Sequence, residues 1–371
     1  MGNRRKHTKL IQRKIGHFAP NEISILGSSD SVINDLIYKI AKNLKPSIKL
    51  AFLNASSINE ETSTKCDVFI FDLQGDLSKQ SNSKIKSYNN KFLFSKYDLL
   101  FINGNHNRGE QQILILDKEK ESSVLKQIDQ LDNIQFIIKL TENESYFDFL
   151  IEKYPHIKNL RSYLISDINK ISNHIENIIL QQIPKIQGLI LTGGKSIRMG
   201  KDKGLLEYHG KSQRIFAMDM LEKMNFNTYL SVRKEQEIKN RNTIEDTFLG
   251  LGPFGAICSA FQHDPNSAWL VLANDLPFVD ENIIQLLLQK RDPSKIATTI
   301  KGKSKDFPEP LITIWEPKAY PILLNYLSHG IPYPIKVLIN SDVEIVEIDD
   351  NLITNVNTPE EFELAKKKLN E

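Results

Sequence analysis

The sequence contains few cysteines, little net charge and no long apolar segment. Its 371 residues include two cysteines, Cys66 and Cys258, whose spacing matches no disulfide framework or zinc site. The 48 basic and 46 acidic residues leave a net charge of +2, which excludes a global attraction to nucleic acid or to a membrane surface. We therefore expect a protein of a reducing compartment in which any anion-binding site is local.

The N-terminal residues also lack the apolar segment that a secretory signal needs, and no apolar run approaches the length of a membrane span. Residues 1–14 form a basic polar arm, which we expect to be solvated and disordered. These features predict a cytoplasmic protein without a membrane or nucleic-acid partner. A chain of this length can form two domains, each with its own core.

A glycine-rich segment follows one of the clearest strand patterns in the chain. Ile186 to Leu191 has the length of a buried strand, and Gly193 and Gly194 come soon after it. Adjacent glycines allow a phosphate to approach the backbone, and Arg198 and Lys203 supply a planar guanidinium and a point cation. The segment predicts a triphosphate site at the end of a strand. The alternative is a glycine-rich turn with two solvated basic residues.

A second apolar strand pattern also keeps its polar residues for its carboxyl end. Residues 269–273 are apolar, and Asn274 and Asp275 follow them. Ligands of α/β proteins bind at the carboxyl ends of strands, and Mg²⁺ prefers carboxylate and phosphate oxygens. Asp275 is therefore a candidate metal ligand, and the alternative is an aspartate that caps a helix.

The order of these motifs resembles a known enzyme family. The segment Gly-Gly-x3-Arg-Met-Gly-x-Asp-Lys, which begins at Gly193, resembles the loop of nucleotidyltransferases that activate sugars and cofactors. Together with its flanking residues it is similar to the molybdenum cofactor guanylyltransferases of the MobA type. Further similarity lies at Gly250–Ile257, Asp306–Thr313 and Asn355–Glu361, so that the resemblance covers residues 186–369.

The resemblance implies a C-terminal Rossmann-like nucleotidyltransferase domain over residues 184–371, folded as a three-layer α/β/α sandwich. It implies GTP and molybdopterin as substrates, Mg²⁺ as the cofactor, and cofactor-delivery proteins or molybdoenzymes as further partners. The implied site residues are catalytic Arg198, Lys203 and Asp275; nucleotide-binding Leu191, Thr192, Gly193, Gly194, Lys203, Ser231, Asp246 and Asp275; and the metal ligands Asp275 and Asn357.

Two of the implied nucleotide contacts leave a question open. Ser231 stands where the family has an asparagine, so it offers one hydroxyl in place of a two-sided amide. Asp246 stands where the family has an acidic residue, and a carboxylate can accept hydrogen bonds from N1 and N2 of guanine. Which contact Asp246 makes is not specified by the motif.

Residues 1–183 are predicted to form a smaller α/β domain, which begins with a strand at Ile23–Leu26, a loop and a helix. In outline this order resembles the P-loop partner protein of the MobB type. At the decisive positions, however, Ile33 and Asn34 replace the lysine and the hydroxyl residue of a phosphate loop, and Asp30 would repel phosphate. We expect a degenerate P-loop-like topology with an accessory or scaffold role.

A polar loop at residues 102–109 could line a site in this first domain. It contains His106, for which the sequence shows no partner carboxylate and no further metal ligand. We therefore expect His106 to lie in an exposed turn.

Three other functions remain open beside guanylyl transfer. Two are enzymatic: cytidylyl transfer to the same pterin, and nucleotidyl transfer to a sugar phosphate. The residues Leu191-Thr192-Gly193-Gly194 argue against the first, because cytidylyl relatives tend to have Ala-Ala-Gly there. The third is a non-catalytic scaffold that binds molybdopterin or a nucleotide, and the intact polar residues of the motifs argue against it.

Overall fold

The computed structural model describes residues 9–54, 68–71, 77–80, 87–192, 206–234, 236, 238, 240–356 and 358–369, with the backbone alone at 68–71, 77–80, 87 and 88. The chain divides into an N-terminal unit, Lys14–Gln182, and a C-terminal unit that begins at Ile183 and also includes the arm up to Arg13. In the arm, the Gln12 carbonyl oxygen accepts a hydrogen bond from Asn266 Nδ2 (3.2 Å). No helix in the described ranges is long and apolar enough to cross a bilayer.

The N-terminal unit is built on a six-stranded parallel sheet. Its elements are β1 (Glu22–Leu26), α1 (Asp30–Asn43), β2 (Leu50–Leu53), β3 (Val68–Phe71), β4 (Leu77–Gln80), α2 (Ser87–Phe94), β5 (Leu99–Asn103), β6 (Gln111–Leu116), α3 (Glu121–Lys126), β7 (Ile134–Lys139), α4 (Asp148–Lys153), β8 (Ser162–Leu164) and α5 (Ile168–Gln181). The strand order is β2-β5-β1-β6-β7-β8, and β3 and β4 form a separate antiparallel pair. The predicted α/β class of this unit is confirmed.

Apolar stripes at helical spacing bind the helices of this unit to its sheet. On one face, α1 buries Ile33, Leu36, Ile37 and Ile40, and α5 buries Ile171, Ile175 and Ile178. On the other face, Val124 of α3 and Leu150 of α4 pack on β6 and β7. The isoleucines of α5, the last helix before the C-terminal unit, therefore pack within the N-terminal unit itself.

The loop between β1 and α1 has the place of a phosphate loop without its chemistry. Gly27 has a φ of +95°, and a Cβ there would lie 2.3 Å from the Ile115 carbonyl oxygen, so the tight turn requires glycine. Ile33, which stands where a phosphate loop has lysine, is fully buried in the core. The degenerate P-loop-like topology is thus confirmed.

The carboxylate of Asp30, the first residue of α1, is surrounded by donors from the loop after β5. Its Oδ1 accepts hydrogen bonds from Nδ2 of Asn105 (2.8 Å) and of Asn103 (3.1 Å), and its Oδ2 lies 2.8 Å from Nε2 of His106. These bonds, with His106 first, lower the pKa of Asp30. His106 lies in an exposed turn, as expected. It nevertheless has a partner carboxylate, because β1 and β5 are parallel neighbours whose carboxyl ends lie side by side.

The C-terminal unit is built on a seven-stranded mixed sheet. Its elements are β9 (Ile186–Leu191), α6 (Gln213–Lys223), β10 (Thr228–Val232), β11 (Thr243–Glu245), α7 (Pro253–His263), β12 (Ala268–Ala273), α8 (Glu281–Gln289), β13 (Ala297–Gly302), β14 (Glu309–Trp315), α9 (Ala319–Ser328), α10 (Pro334–Ile339), β15 (Glu344–Ile348) and α11 (Pro359–Leu369). The order is β11-β10-β9-β12-β14-β13-β15, and β14 runs antiparallel to both neighbours.

Two apolar clusters cover the two faces of this sheet. One contains side chains of α6 and α8, and the other contains side chains of α7, α9 and α10. The predicted three-layer α/β/α sandwich is therefore confirmed. The chain leaves β9 toward β10 on one side and later returns to β12 on the other, so the winding of the sheet changes direction between β9 and β12. A crevice at such a switch point is where open α/β sheets bind ligands.

A buried ion pair joins the end of β14 to the start of this unit. Glu316, which is 1% exposed, accepts hydrogen bonds from Arg291 Nε (2.7 Å) and Nη2 (2.9 Å). Arg291 Nη2 also donates to the Pro184 carbonyl oxygen (2.8 Å). Burial raises the pKa of Glu316, and the hydrogen bonds from Arg291 oppose this shift. Loss of either residue would therefore leave the other charge buried without its partner.

Candidate active site

The strands β9, β10 and β12 end at the same level of the sheet. Leu191 of β9 lies opposite Ser231 of β10 and opposite Ala273 of β12. Residues that follow these positions therefore emerge at one edge, at the switch point. The described residues at this edge include five predicted site residues, Leu191, Thr192, Ser231, Asp246 and Asp275. The other five, Gly193, Gly194, Arg198, Lys203 and Asn357, lie outside the described residues.

A chain of hydrogen bonds connects three of these residues across the strand ends. The Thr192 hydroxyl donates to the Ser231 carbonyl oxygen, and the Ser231 hydroxyl donates to Asp246 Oδ1 (2.7 Å). The Asp246 backbone N–H donates to the Val232 carbonyl oxygen (2.9 Å). Burial raises the pKa of Asp246, while the hydrogen bond from Ser231 and the charge of Arg233 oppose the shift. Ser231 thus orients a desolvated carboxylate at the edge of the sheet.

A bulge in β14 brings a second carboxylate to the end of β12. Thr299 of β13 pairs with Thr313, but the next residue, Ile300, pairs with Glu309. The hydroxyls of Thr299 (3.0 Å) and Thr313 (2.7 Å) both donate to the Glu309 carbonyl oxygen and hold the bulge. Bulges beside active sites commonly redirect a side chain. Sequence reasoning did not assign Glu309, although the motif at Asp306–Thr313 contains it.

Glu309 and Asp275 interact electrostatically. Burial raises the pKa of Glu309 and the Asp275 carboxylate adds to the increase, against the opposing hydrogen bond from the Leu311 N–H. The neighbouring pairing of Leu272 with Ile312 accounts for this proximity, because it places the bulge beside the end of β12. The negative charge of the two carboxylates favours a cation at this end of the sheet.

The donor set suits a hard divalent cation that shares its coordination with a ligand. Mg²⁺ is commonly held by one or two carboxylates together with phosphate oxygens. Among the described residues, no group of three or more His, Cys, Asp or Glu side chains could hold a metal alone. Asp275 is not the cap of the next helix, because Asp280 Oδ1 accepts the Ile283 N–H (3.0 Å) at the start of α8. The helix-cap alternative is thereby excluded.

The segment before Asn357 reaches the same edge. The Val356 N–H donates to the Asp275 carbonyl oxygen (2.9 Å). Directly after Asn357, the Thr358 hydroxyl accepts the Glu361 N–H (3.2 Å) and the Glu361 carboxylate accepts the Thr358 N–H (3.1 Å). This capping box begins α11.

The described residues that follow the glycine-rich segment are also fixed at this edge. The ring of His209 stacks on Phe216 at 3.7 Å between centroids, and its Nε2 lies 3.2 Å from the Pro277 carbonyl oxygen. Tyr208 packs edge to face on Phe362 of α11, 4.8 Å between centroids. Burial, together with the charges of Asp275 and Glu361, raises the pKa of the Tyr208 hydroxyl. It therefore remains protonated.

Helix α7 begins directly after a turn that contains two glycines. Pro253 occupies its first turn, where the missing N–H costs no helical hydrogen bond. Gly250 and Gly252 have φ values of +76° and +55°, which favour glycine. A Cβ at Gly255 would lie 2.2 Å from the Phe248 carbonyl oxygen, so the preceding loop packs directly against the helix.

Comparison with known proteins identifies this half of the chain. The family model described as the MobA-like NTP transferase domain matches residues 188–340, from β9 to α10. Residues 188–340 are therefore similar to MobA-like NTP transferase domains. The resemblance inferred from the loop motifs is confirmed for the C-terminal half.

The MobA-like domain is similar to proteins from several bacteria. One is the molybdenum cofactor biosynthesis bifunctional protein of Synechocystis sp., 33% identical over 183 residues, or 48% of this chain and 52% of that protein. The match thus spans about half the length of that relative. Another is the probable molybdenum cofactor guanylyltransferase of Flavobacterium johnsoniae, 28% identical over 47% of this chain and 92% of that protein.

A solved structure is also similar to the chain. It is the molybdopterin-guanine dinucleotide biosynthesis protein A of Archaeoglobus fulgidus, which is 24% identical. The similarity covers 50% of this chain and 98% of that one, with a TM-score of 0.42.

Proposed function

We propose that the MobA-like domain transfers a guanylyl group from GTP to molybdopterin with a divalent cation, Mg²⁺, as its cofactor. The products are molybdopterin guanine dinucleotide and pyrophosphate. The observation that carries the proposal is the position of two carboxylates on either side of β9, Asp246 after β11 and Asp275 after β12. Thr192, the last described residue before the glycine-rich segment, follows β9. One carboxylate can therefore serve the base and the other the phosphates.

Asp246 is the proposed acceptor for guanine. A carboxylate offers two oxygens to the adjacent N1 and N2 donors of the base, and Ser231 holds one of those oxygens from behind. Because Asp246 is largely desolvated, a hydrogen bond to it is stronger than the same bond in water. Cytosine lacks this donor pair, so the arrangement favours guanylyl over cytidylyl transfer.

At the other end of the nucleotide, Asp275 and Asn357 are the proposed metal ligands, and Glu309 adds negative charge beside them. When bound, Mg²⁺ supplies charge neutralisation to the phosphate oxygens. Gly193 and Gly194 allow the backbone to contact the phosphates, and Arg198 and Lys203 compensate the charge of the leaving pyrophosphate. The terminal phosphate of molybdopterin is already ionised, so its oxygen attacks the α-phosphorus, and the bond to the bridging oxygen breaks, without a general base.

The test is turnover of the full chain with molybdopterin, Mg²⁺ and each of the four nucleoside triphosphates in turn. We expect pyrophosphate and a dinucleotide product with GTP and with none of the other three triphosphates. Product with CTP would assign cytidylyl transfer, and product only when a sugar 1-phosphate replaces molybdopterin would assign the sugar-phosphate reaction. Binding of molybdopterin without product under any of these conditions would identify a scaffold.

For residues 1–183 we propose an accessory or scaffold role in the cytoplasm, without a membrane or nucleic-acid partner. The Asp30 carboxylate supports this proposal, because it binds the side chains of Asn103, Asn105 and His106 at the strand ends, where a phosphate would need those donors. Cofactor-delivery proteins or molybdoenzymes are the partners that such a role implies. Affinity capture by the full chain, compared with capture by the Asp30→Ala variant, would test whether this surface contributes.

A further inference from the structure

A surface cavity of about 540 Å³ lies in the N-terminal unit. It is lined by polar and apolar side chains of β7, of the residue before β8 and of α5, namely Gln135, Arg161, His174, Asn177, Ile178, Leu180 and Gln181. Its volume falls in the range of sites that hold small molecules. No function discussed so far uses this cavity.

One wall of the cavity is a polar stripe along α5. His174, Asn177 and Gln181 are spaced three and four residues apart, so they lie on the same side of the helix. Ile178 lies between them and is 8% exposed. The stripe therefore offers hydrogen-bonding groups beside an apolar patch, which is the composition of a site that orients a polar molecule.

The opposite wall contributes charge. Arg161 precedes β8, and its carbonyl oxygen accepts the Ile137 N–H (2.9 Å), which fixes the backbone and leaves the guanidinium to the cavity. No carboxylate is among the described residues that line the cavity. A guanidinium in such surroundings is suited to a planar oxyanion, which it can bind through two parallel hydrogen bonds.

His174 is held in a defined orientation at the centre of the site. Its ring stacks on Phe136 at 4.6 Å, and its Nδ1 lies 3.0 Å from the Tyr163 hydroxyl. Burial, and then the charge of Arg161, lower the pKa of the imidazole, so it is neutral at pH 7. If the Tyr163 hydroxyl donates to Nδ1, then Nε2 carries the proton and is a donor.

We propose that this cavity binds a small molecule through an oxyanion, phosphate or carboxylate, held by Arg161, with His174 and the carboxamides of Asn177 and Gln181 bonding the remainder of the ligand. The site is separate from the proposed guanylyl transfer and does not depend on it. Its ligand class is an anionic metabolite of a size suited to the cavity.

The experiment follows the imidazole signals of the full chain, labelled at histidine with ¹³C, during titration with sodium phosphate at pH 7.5. The sequence contains 8 histidines, and comparison with His174→Asn assigns the signal of interest. We expect a saturable shift of the His174 signal with phosphate. A parallel titration with sodium acetate distinguishes the two anions, because preference for one of them identifies the group that the ligand carries.

Two variants decide whether the site depends on Arg161. Arg161→Gln should weaken phosphate binding at His174 by about tenfold, the scale of a lost charge-assisted hydrogen bond. Lys158→Gln removes the same charge three residues earlier and should leave the binding unchanged. The proposal would be overturned by an unsaturable shift, by the same shift in sodium chloride at equal ionic strength, or by equal effects of the two variants.

Discussion

The Ser231 hydroxyl donates a hydrogen bond of 2.7 Å to the carboxylate of Asp246, across the ends of two adjacent strands. At the position where the family has an asparagine, this chain therefore uses its side chain to orient a neighbouring acid. The serine thereby keeps a polar contact at the edge of the sheet. Two substitutions can separate the contributions of these residues.

We predict that Asp246→Asn raises the KM for GTP by about a hundredfold, because it removes an ionic acceptor. Ser231→Ala should raise the KM by only about threefold to tenfold, with kcat little changed, because it removes only the hydrogen bond that orients this acceptor. The measurement is steady-state pyrophosphate release. Thr247→Ala, which alters a hydroxyl bonded to Ser259 and Gln262 instead, is the control. Equal effects of Ser231→Ala and Thr247→Ala would contradict this assignment.

The same pair predicts a pH dependence. The proposed hydrogen bonds from guanine require the ionised form of Asp246, and burial raises the pKa of this carboxyl. The KM for GTP should therefore increase as the pH falls through that raised pKa. Ser231→Ala removes a hydrogen bond that opposes the shift, so the acid limb should move to higher pH. A profile that is unchanged in Ser231→Ala would argue against Asp246 as the titrating group.

We predict that Asp275→Asn abolishes Mg²⁺-dependent turnover in a folded protein, because the amide keeps the shape of the side chain and removes the charge that a hard cation requires. Glu309→Gln should reduce turnover by a smaller factor, of about ten, that added Mg²⁺ partly restores. Turnover measured across a Mg²⁺ titration distinguishes these outcomes. Wild-type rates in Asp275→Asn would remove this residue from the site.

We predict that Lys203→Ala and Arg198→Ala lower kcat more than they lower the affinity for GTP. A cation beside the phosphates meets its largest negative charge as pyrophosphate leaves, so part of the interaction exists only in the transition state. The loss should be about 3 kcal/mol, or roughly a hundredfold in rate. Single-turnover kinetics give the chemical step directly. An increase in KM with unchanged kcat would assign uniform binding to these residues.

We predict one GTP site per chain. Ile33 of the N-terminal unit is buried and Asp30 supplies a negative charge at the strand ends, so this unit should not bind a triphosphate. Calorimetric titration of the full chain with GTP and Mg²⁺ gives the stoichiometry. Asp246→Asn serves as the reference, since it should remove most of the heat. A second micromolar site that persists in this variant would disprove the prediction.

Arg291→Ala should destabilise the C-terminal unit by about 3 kcal/mol, because it leaves the Glu316 carboxylate buried without its partner. Trp269 and Trp315 are both buried in this unit, so their fluorescence during urea unfolding reports on it. Lys290→Ala, an exposed neighbour, should change little. The loss of stability in Arg291→Ala should be largest above the raised pKa of Glu316, where the carboxyl is ionised. It should become smaller as the pH falls and the carboxyl becomes protonated.

Local patterns in the sequence predict much of the fold. The apolar runs at residues 186–191 and 269–273 are two parallel neighbours in the sheet, and the polar residues after them emerge at one edge. A buried strand is mostly apolar, and its ligand-binding residues follow its carboxyl end. Both features can therefore be predicted from the sequence alone. Pro253 and Thr358 are residue types that are common at helix starts, and they stand at the starts of α7 and α11.

Features that depend on strand order are not visible in this way. His106 is paired with Asp30 because β5 lies beside β1, although β2 follows β1 along the chain. Glu309 lies within electrostatic range of Asp275 because β14 bulges where it pairs with β13. In each case the partner is chosen by hydrogen bonding between distant strands, and neither residue carries a local pattern that would reveal it.

The hydrogen bond from Val356 to Asp275 has a consequence for how the protein is made. Residues 355–358 follow β15, so ribosomes synthesise them after every strand of the sheet. The end of β12 can form its sheet pairs earlier, but its Asp275 carbonyl oxygen acquires this partner late. During folding, the end of β12 should therefore gain this hydrogen bond only after the chain of the whole sheet has been made.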